Sequence, residues 1–283
     1  MLFLTSGQLL MASPASRQVP LSISFSEKQQ IRSSMHWMQG SAKLLAVRQA
    51  IDASADVAPE FEGVSLVAAS GESREGASPH LTLPYSVVGK LLYLKPDDSV
   101  ATCSAALTGA NDVVLTAAHC VLSPSGDWHR YFIFIKGYGM PRHEVFAVSC
   151  AAVANAWGSL SGVDAYAYDY AFLKLRRVNP GGSLGITNAL PPRDLHLVGY
   201  SDNVLEGRRM LELNVRLDGM QGQLIRASRN PLRLGSSGMP WIASSIVHSV
   251  SSFYLPNEQF SMWGPLFTDH TFKLLDFVKA GCR

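Results

Sequence analysis

From Pro84 onward the chain alternates short apolar, β-branched and aromatic runs with clusters of turn residues. SVVGKLLYL, ATCSAALTG, DVVLTAAH, YFIFIKGYG, HEVFAVSCAAV, YAFLKL, DLHLVGY and MLELNVRL each predict a strand. Gly109-Ala-Asn-Asp112 and Asn179-Pro-Gly-Gly182 supply turns between them. Many short strands without long intervening helices predict an all-β architecture, a barrel or a sandwich, and residues 84–283 suffice for a pair of packed barrels. One helix is expected at the end, where TDHTFKLLDFVKAG repeats Phe272, Leu275 and Val278 at helical spacing.

The pattern before residue 83 is different. Residues 12–35 are polar and Ser-rich, and residues 41–56 set Leu44, Val47, Ala50 and Ile51 on one helical face. Residues 69–80 form a Gly/Ser/Glu linker. Residues 1–82 therefore read as an N-terminal leader, helix and linker, either a signal remnant or a pro-segment, ahead of a domain at 83–283. MLFLTSGQLLMASPAS has small residues like a signal end but no positive start, and Thr5 to Gln8 interrupt its apolar run. No apolar run approaches the ~18 residues of a membrane-spanning helix, so no membrane partner is expected.

Composition narrows the function classes. Of the 283 residues 47% are apolar, so a sizeable core can form, and 24 basic against 22 acidic residues give a net charge of only +2. That balance, with scattered basic residues, argues against a nucleic-acid partner. The four cysteines, Cys103, Cys120, Cys150 and Cys282, show no C-x-x-C spacing. They suit two disulfides in an oxidising compartment, with four buried thiols in a cytosolic protein as the other reading. His143-Glu144 opens like a zinc helix, but position 147 is Ala, so no metal is expected.

The remaining signals are chemical. Acyl transfer by serine needs a base, a carboxylate that fixes the base's tautomer, and donors for the oxyanion. His119 closes an apolar strand behind small Ala117 and Ala118, which let backbone pack close behind it. Asp169 leads into DYAFLKL, and a buried aspartate needs hydrogen-bond partners such as a histidine N–H. Ser237 lies in LGSSGMPW, where flanking glycines and a proline impose a tight turn, so that the N–H groups of Gly235 and Ser237 can converge on one point. Taken singly, each motif also reads as structure: a strand-end histidine, a turn aspartate, a Ser/Gly loop.

Together and in this order, TAAHC, D-x-A-x-L-x-L and G-x-S-G-x-P resemble the chymotrypsin/trypsin-like serine peptidases, in particular the bacterial branch resembling glutamyl endopeptidase. PYSVVGKLLYL, CSAALTGANDVVLTAAHCV, GSSGMPW, SVSSF and MWGPLF extend the resemblance over residues 84–270. It implies a double antiparallel β-barrel with a C-terminal helix. It further implies a serine endopeptidase acting on protein or peptide substrates through an acyl-enzyme, without metal or cofactor, as a secreted or periplasmic monomer. His119 would be the general base, Asp169 its orienting carboxylate, Ser237 the nucleophile, and Gly235 and Ser237 the oxyanion donors. The resemblance pairs Cys103 with Cys120, leaving Cys150 with Cys282.

The chain also departs from the pattern. Ser236 replaces the aspartate that pairs with a newly cut N-terminus in animal enzymes, so that activation switch is absent. Met239 replaces a small residue and is expected to crowd the site, and Leu234 replaces a glycine. The specificity wall falls near Ser249 to Phe253. Ser251 and Ser252 are expected there, Ser251 at the position of the glutamate-binding histidine, while His248 reads either as a substitute for that histidine or as a strand-end histidine. Leu234, Met239 and the long extension favour one alternative, a protease-fold binding or adhesion protein with a vestigial triad, and a third reading is a peptidase held latent by residues 1–82.

Overall fold

The computed structural model describes residues 20–24, 61, 63–67 and 82–283. The helix expected at 41–56 and the linker at 69–80 lie outside the described residues. In chain order the strands are β1 (Leu21–Ser24), β2 (Val64–Leu66), β3 (Val88–Leu94), β4 (Val100–Leu107), β5 (Val113–Thr116), β6 (Arg130–Lys136), β7 (Glu144–Val153), β8 (Ala171–Leu175), β9 (Gly185–Ile186), β10 (Asp194–Gly199), β11 (Leu211–Gln221), β12 (Leu224–Ser228), β13 (Pro240–Ala243), β14 (Ile246–Val250) and β15 (Ser261–Pro265). Among the described residues three α-helices join them: α1 (Asn155–Ser159) and α2 (Val163–Tyr166) between β7 and β8, and α3 (Asp269–Lys279) at the end.

The first sheet runs β7-β6-β3-β4-β5-β8 and returns to β7, a closed six-stranded barrel. Closure removes free edges, and β7 is long enough to serve both neighbours: residues 144–147 pair with β6 and residues 148–153 with β8. Side-chain alternation fills the interior. Phe132 and Phe134 of β6 are buried, while Ile133 and Ile135 between them lie partly exposed on the other face. All seven residues of β3 are buried, because its other face is covered by the second half of the molecule. Gly89 is required on this strand: a Cβ there would lie 2.4 Å from the Ile135 carbonyl oxygen.

The second sheet runs β15-β12-β11-β10-β13-β14-β9. It curls until the chain leaving β14 meets β15, where Ser252 N–H donates to Trp263 O at 2.9 Å and Trp263 N–H to Phe253 O at 2.8 Å. Leu211, Leu213 and Val215 of β11 alternate into its core with Leu197, Met239 and Trp241. Two strands from before residue 82 add to the barrels: β1 pairs with β7 of the first, β2 with β11 of the second.

Both disulfides are formed, Cys103–Cys120 and Cys150–Cys282. With sequence separations of 17 and 132 residues, chain entropy gives them roughly 3 and 5 kcal/mol. The second ties β7 to the end of α3, a helix opened by a Thr268 capping box and docked on the first barrel through Leu275.

Candidate active site

β5 ends at Thr116, and the fully buried Ala117 and Ala118 carry the chain into a single 3-10 turn, Ala118–Cys120. His119 therefore sits on a turn and not on the strand end expected from sequence. Small alanines are required because the nucleophile loop packs directly on this backbone. The turn is fixed by Cys120 N–H→Ala117 O at 3.2 Å and by the Cys103–Cys120 bond to β4.

Asp169 enters β8 fully buried and accepts two bonds from His119, the backbone N–H on Oδ1 and ring Nδ1 on Oδ2, both at 2.8 Å. Ser252 Oγ donates to the same Oδ2. Three donors offset the cost of burying the carboxylate. With Nδ1 as the donor, the proton-free Nε2 is left toward the cleft, a tautomer assigned from these partners. Burial pulls the His119 imidazole down, and the charge and hydrogen bond of Asp169 more than reverse this, so its pKa lies above the ordinary histidine value. The turn has a further support: His129 Nε2 lies 3.2 Å from His119 O, its ring stacked on Tyr93 at 4.7 Å.

Ser237 and His119 line one cleft of about 1110 Å³ between the barrels. Gly235 and Gly238, at φ +81° and +77°, form the tight turn expected around the serine. A Cβ at Gly238 would fall 2.4 Å from Ser104 O and 2.8 Å from Ala117 N, so the loop lies flush against β4 and the start of the His119 turn. Ser104 N–H donates to Ser237 O at 2.8 Å, and Gly238 N–H to Ser251 O at 2.8 Å. The N–H groups of Gly235 and Ser237 have no acceptor among the described residues. No hydrogen bond joins Ser237 Oγ to His119, a loose arrangement common where no substrate is bound.

The other expected site residues separate. Ser252 faces Asp169 and is not free to contact a substrate through its hydroxyl. Ser251 is fully buried and accepts from Trp241 Nε1 at 3.0 Å. His248 lies on β14 near the Ala189 backbone, outside the cleft lining, and burial lowers its pKa. Met239 does not crowd the site: it is fully buried in the second barrel against Gly199, where a Cβ would meet Met239 Cε at 2.8 Å. Leu234 is 70% exposed on the cleft rim. Ser236 is buried and donates to Arg233 O at 2.5 Å.

Sequence reasoning missed Ser104, whose Oγ accepts from Tyr200 N–H at 2.9 Å and lies 3.1 Å from the carbonyls of Tyr200 and Gly235. The only signal was a serine inside an apolar strand run. His129 and the helices α1 and α2, which bring Trp157 and Tyr166 beside the cleft, gave no signal.

No protein-family model and no curated protein matches the chain. Solved structures do. The protease Anisep from Arthrobacter nicotinovorans superposes with a TM-score of 0.60 at 22% identity, over 69% of this chain and 95% of its own. A Glu endopeptidase superposes with a TM-score of 0.60 at 17% identity, over 79% of this chain and all of its own. A scabies mite inactivated protease paralogue matches with a TM-score of 0.51 at 18% identity, over 68% and 94%. At these identities the likeness establishes the fold, which is that of the chymotrypsin-like serine proteases.

Proposed function

We propose that the protein is a serine endopeptidase, hydrolysing peptide bonds through an acyl-enzyme on Ser237. The observation that carries this reading is Asp169: a fully buried carboxylate holding His119 by both backbone N–H and Nδ1, in the cleft that Ser237 lines. His119 Nε2 takes the Ser237 hydroxyl proton as Oγ attacks the substrate carbonyl, and then gives it to the leaving amine. The negative oxygen that forms is met by Gly235 and Ser237 N–H, donors that lack any other acceptor. Water then attacks the acyl group with His119 again as base, freeing Ser237. No step requires a metal or cofactor.

The order of the three motifs and the superposition over the whole Glu endopeptidase chain support placement in that bacterial branch. Ser236 bonded to Arg233 O, in place of an aspartate awaiting a new N-terminus, supports activity without that switch. Two disulfides suit an oxidising compartment, and we place the protein outside the cytoplasm, secreted or periplasmic, acting as a monomer with residues 83–283 as the peptidase domain.

The test is labelling with a fluorophosphonate, which needs an activated serine and an open oxyanion site. Wild type should label and Ser237→Ala should not, with casein turnover falling by roughly four to six orders of magnitude. A blank on correctly oxidised wild-type protein would replace this reading with that of a protease-fold binding protein.

A further inference from the structure

Beside Ser237 the cleft has two walls, the chain leading through Arg233 and Leu234 and the chain through Phe253 and Tyr254. The Phe253–Trp263 bridge sets Met262 opposite Tyr254, and Met262, only 2% exposed, closes the space from the second barrel's core. The serine hydroxyls on this side are occupied: Ser251 by Trp241 and Ser252 by Asp169.

Arg233 carries the only charge among these named wall residues, the cleft carboxylates Asp202 and Glu206 lying on the separate connection between β10 and β11, and its guanidinium is engaged. Nη1 donates to Leu232 O at 2.7 Å and to Asn230 O at 3.5 Å, while Nη2 donates to Gln259 O on the opposite loop. Its face lies 4.7 Å over the Tyr254 ring, and it forms no ion pair among the described residues. Asn230 N–H→Phe260 O at 3.0 Å is a second tie between the same loops. A substrate carboxylate would have to displace carbonyl bonds from both loops, and a substrate cation would meet a like charge. An apolar side chain disturbs neither.

We infer that the pocket beside Ser237 receives an apolar side chain from the residue before the scissile bond, with Met262 as its floor and Arg233 as the clasp that positions its two walls. This rests on the peptidase reading for its role, and two measurements on the full-length chain keep the two apart. The first is kcat/KM of wild type on peptides varied only at that residue. The second is binding of peptides ending in that residue to Ser237→Ala, which needs no catalysis.

Leu is expected to exceed Glu and Lys at least about tenfold in both. Glu or Lys ranked first in either would overturn the inference. A fluorophosphonate blank with apolar peptides still ranked first in binding would remove the peptidase reading and leave the pocket standing. Met262→Ala should raise the Phe-to-Val preference by about tenfold, and Met262→Val, a smaller deletion, should move it the same way if the alanine variant melts early. An unchanged preference in a folded Met262 variant rules out the floor. Arg233→Met should raise KM about tenfold with kcat nearly constant. Arg233→Lys should not rescue it, because one ammonium cannot span carbonyls on both loops. Rescue by lysine, or an unchanged KM, rules out the clasp.

Discussion

Asp169→Asn changes one oxygen into an NH2 group and tests the site where its geometry is most defined. Oδ1 can still accept the His119 backbone N–H at 2.8 Å. The new amide nitrogen, however, faces two donors, His119 Nδ1 and Ser252 Oγ. His119 answers by accepting at Nδ1 and carrying its proton on Nε2, the atom that must receive the proton of Ser237. A base held in the wrong tautomer, without a carboxylate to stabilise the imidazolium, loses on the order of 10⁴ in rate, or about 5.5 kcal/mol of transition-state stabilisation. The unmatched donors add about 1–3 kcal/mol of folding cost. pH sharpens the test. Wild-type acylation follows the neutral fraction of His119, so its rising limb centres above the ordinary value of 6.5. Without the carboxylate only burial remains, which lowers the pKa, so the limb should move to lower pH while its plateau falls. Stability has the matching sign. A histidine pKa raised by folding stabilises the native state fully below the unfolded value, about 6.5, and this contribution is lost as pH rises through the folded value. Fluorophosphonate labelling rates and urea unfolding across pH measure both. A variant labelling within tenfold of wild type, with an unshifted limb, would refute the assigned roles of Asp169 and His119.

Gly238→Ala, with a Cβ 2.4 Å from Ser104 O at φ +77°, should cost about 3 kcal/mol or more, read as a lowered midpoint in chemical denaturation. Ser104→Ala leaves Tyr200 N–H without its acceptor, and an unfolding free energy lower by about 1–3 kcal/mol is expected, together with slower acylation. Truncation to a chain starting at Thr82 removes β1 and β2 together with the buried Val64 and Val67, 6% and 3% accessible, and uncovers the surface they pack on; thermal melting should fall rather than peptidase activity rise. A truncated chain that melts like the full one and cleaves casein faster would instead identify the extension as an inhibitor. Pairwise serine replacement at Cys150 and Cys282 should lower stability by roughly 5 kcal/mol, more than the ~3 kcal/mol for Cys103 and Cys120, in non-reducing melts.

What was legible in the sequence is what side-chain periodicity encodes. The β-branched and aromatic run YFIFIK marks β6, the alternation in LELNVRL marks β11, and the apolar spacing of TFKLLDFVK marks α3. β12, β13 and the two-residue β9 were not read from periodicity, since LIRAS, PWIA and GI are too short to show a period against their flanking turns. Met239 was misread for a related reason. Proximity in sequence to Ser237 suggests proximity in space, but the left-handed turn at Gly238, φ +77°, redirects the chain between them, and Met239 faces Gly199 in the core. Ser252 was assigned to the substrate, and only the fold shows its hydroxyl directed at Asp169.

The parts of the site hardest to read from sequence are those made by backbone atoms across the two barrels. Ser237, on the second, is held by the N–H of Ser104, and its loop is seated on the Ser104 carbonyl and the Ala117 nitrogen, all from the first. Asp169, on the first, receives Ser252 Oγ from the second. Each barrel thus fixes a functional group of the other. Gly238, Ala117 and Ala118 are small so that this mutual approach can occur, and side-chain identity records it only as an absence of bulk. The separation of the His119 and Ser237 side chains is therefore set by how the barrels pack and not by either loop alone. It follows that substitutions at Ser104 or Gly238 should slow acylation by displacing Ser237, leaving the pH midpoint of the rising limb unmoved because His119 and Asp169 both belong to the first barrel. A shift of that midpoint in Ser104→Ala would show instead that the two halves of the site are electrostatically coupled through the interface.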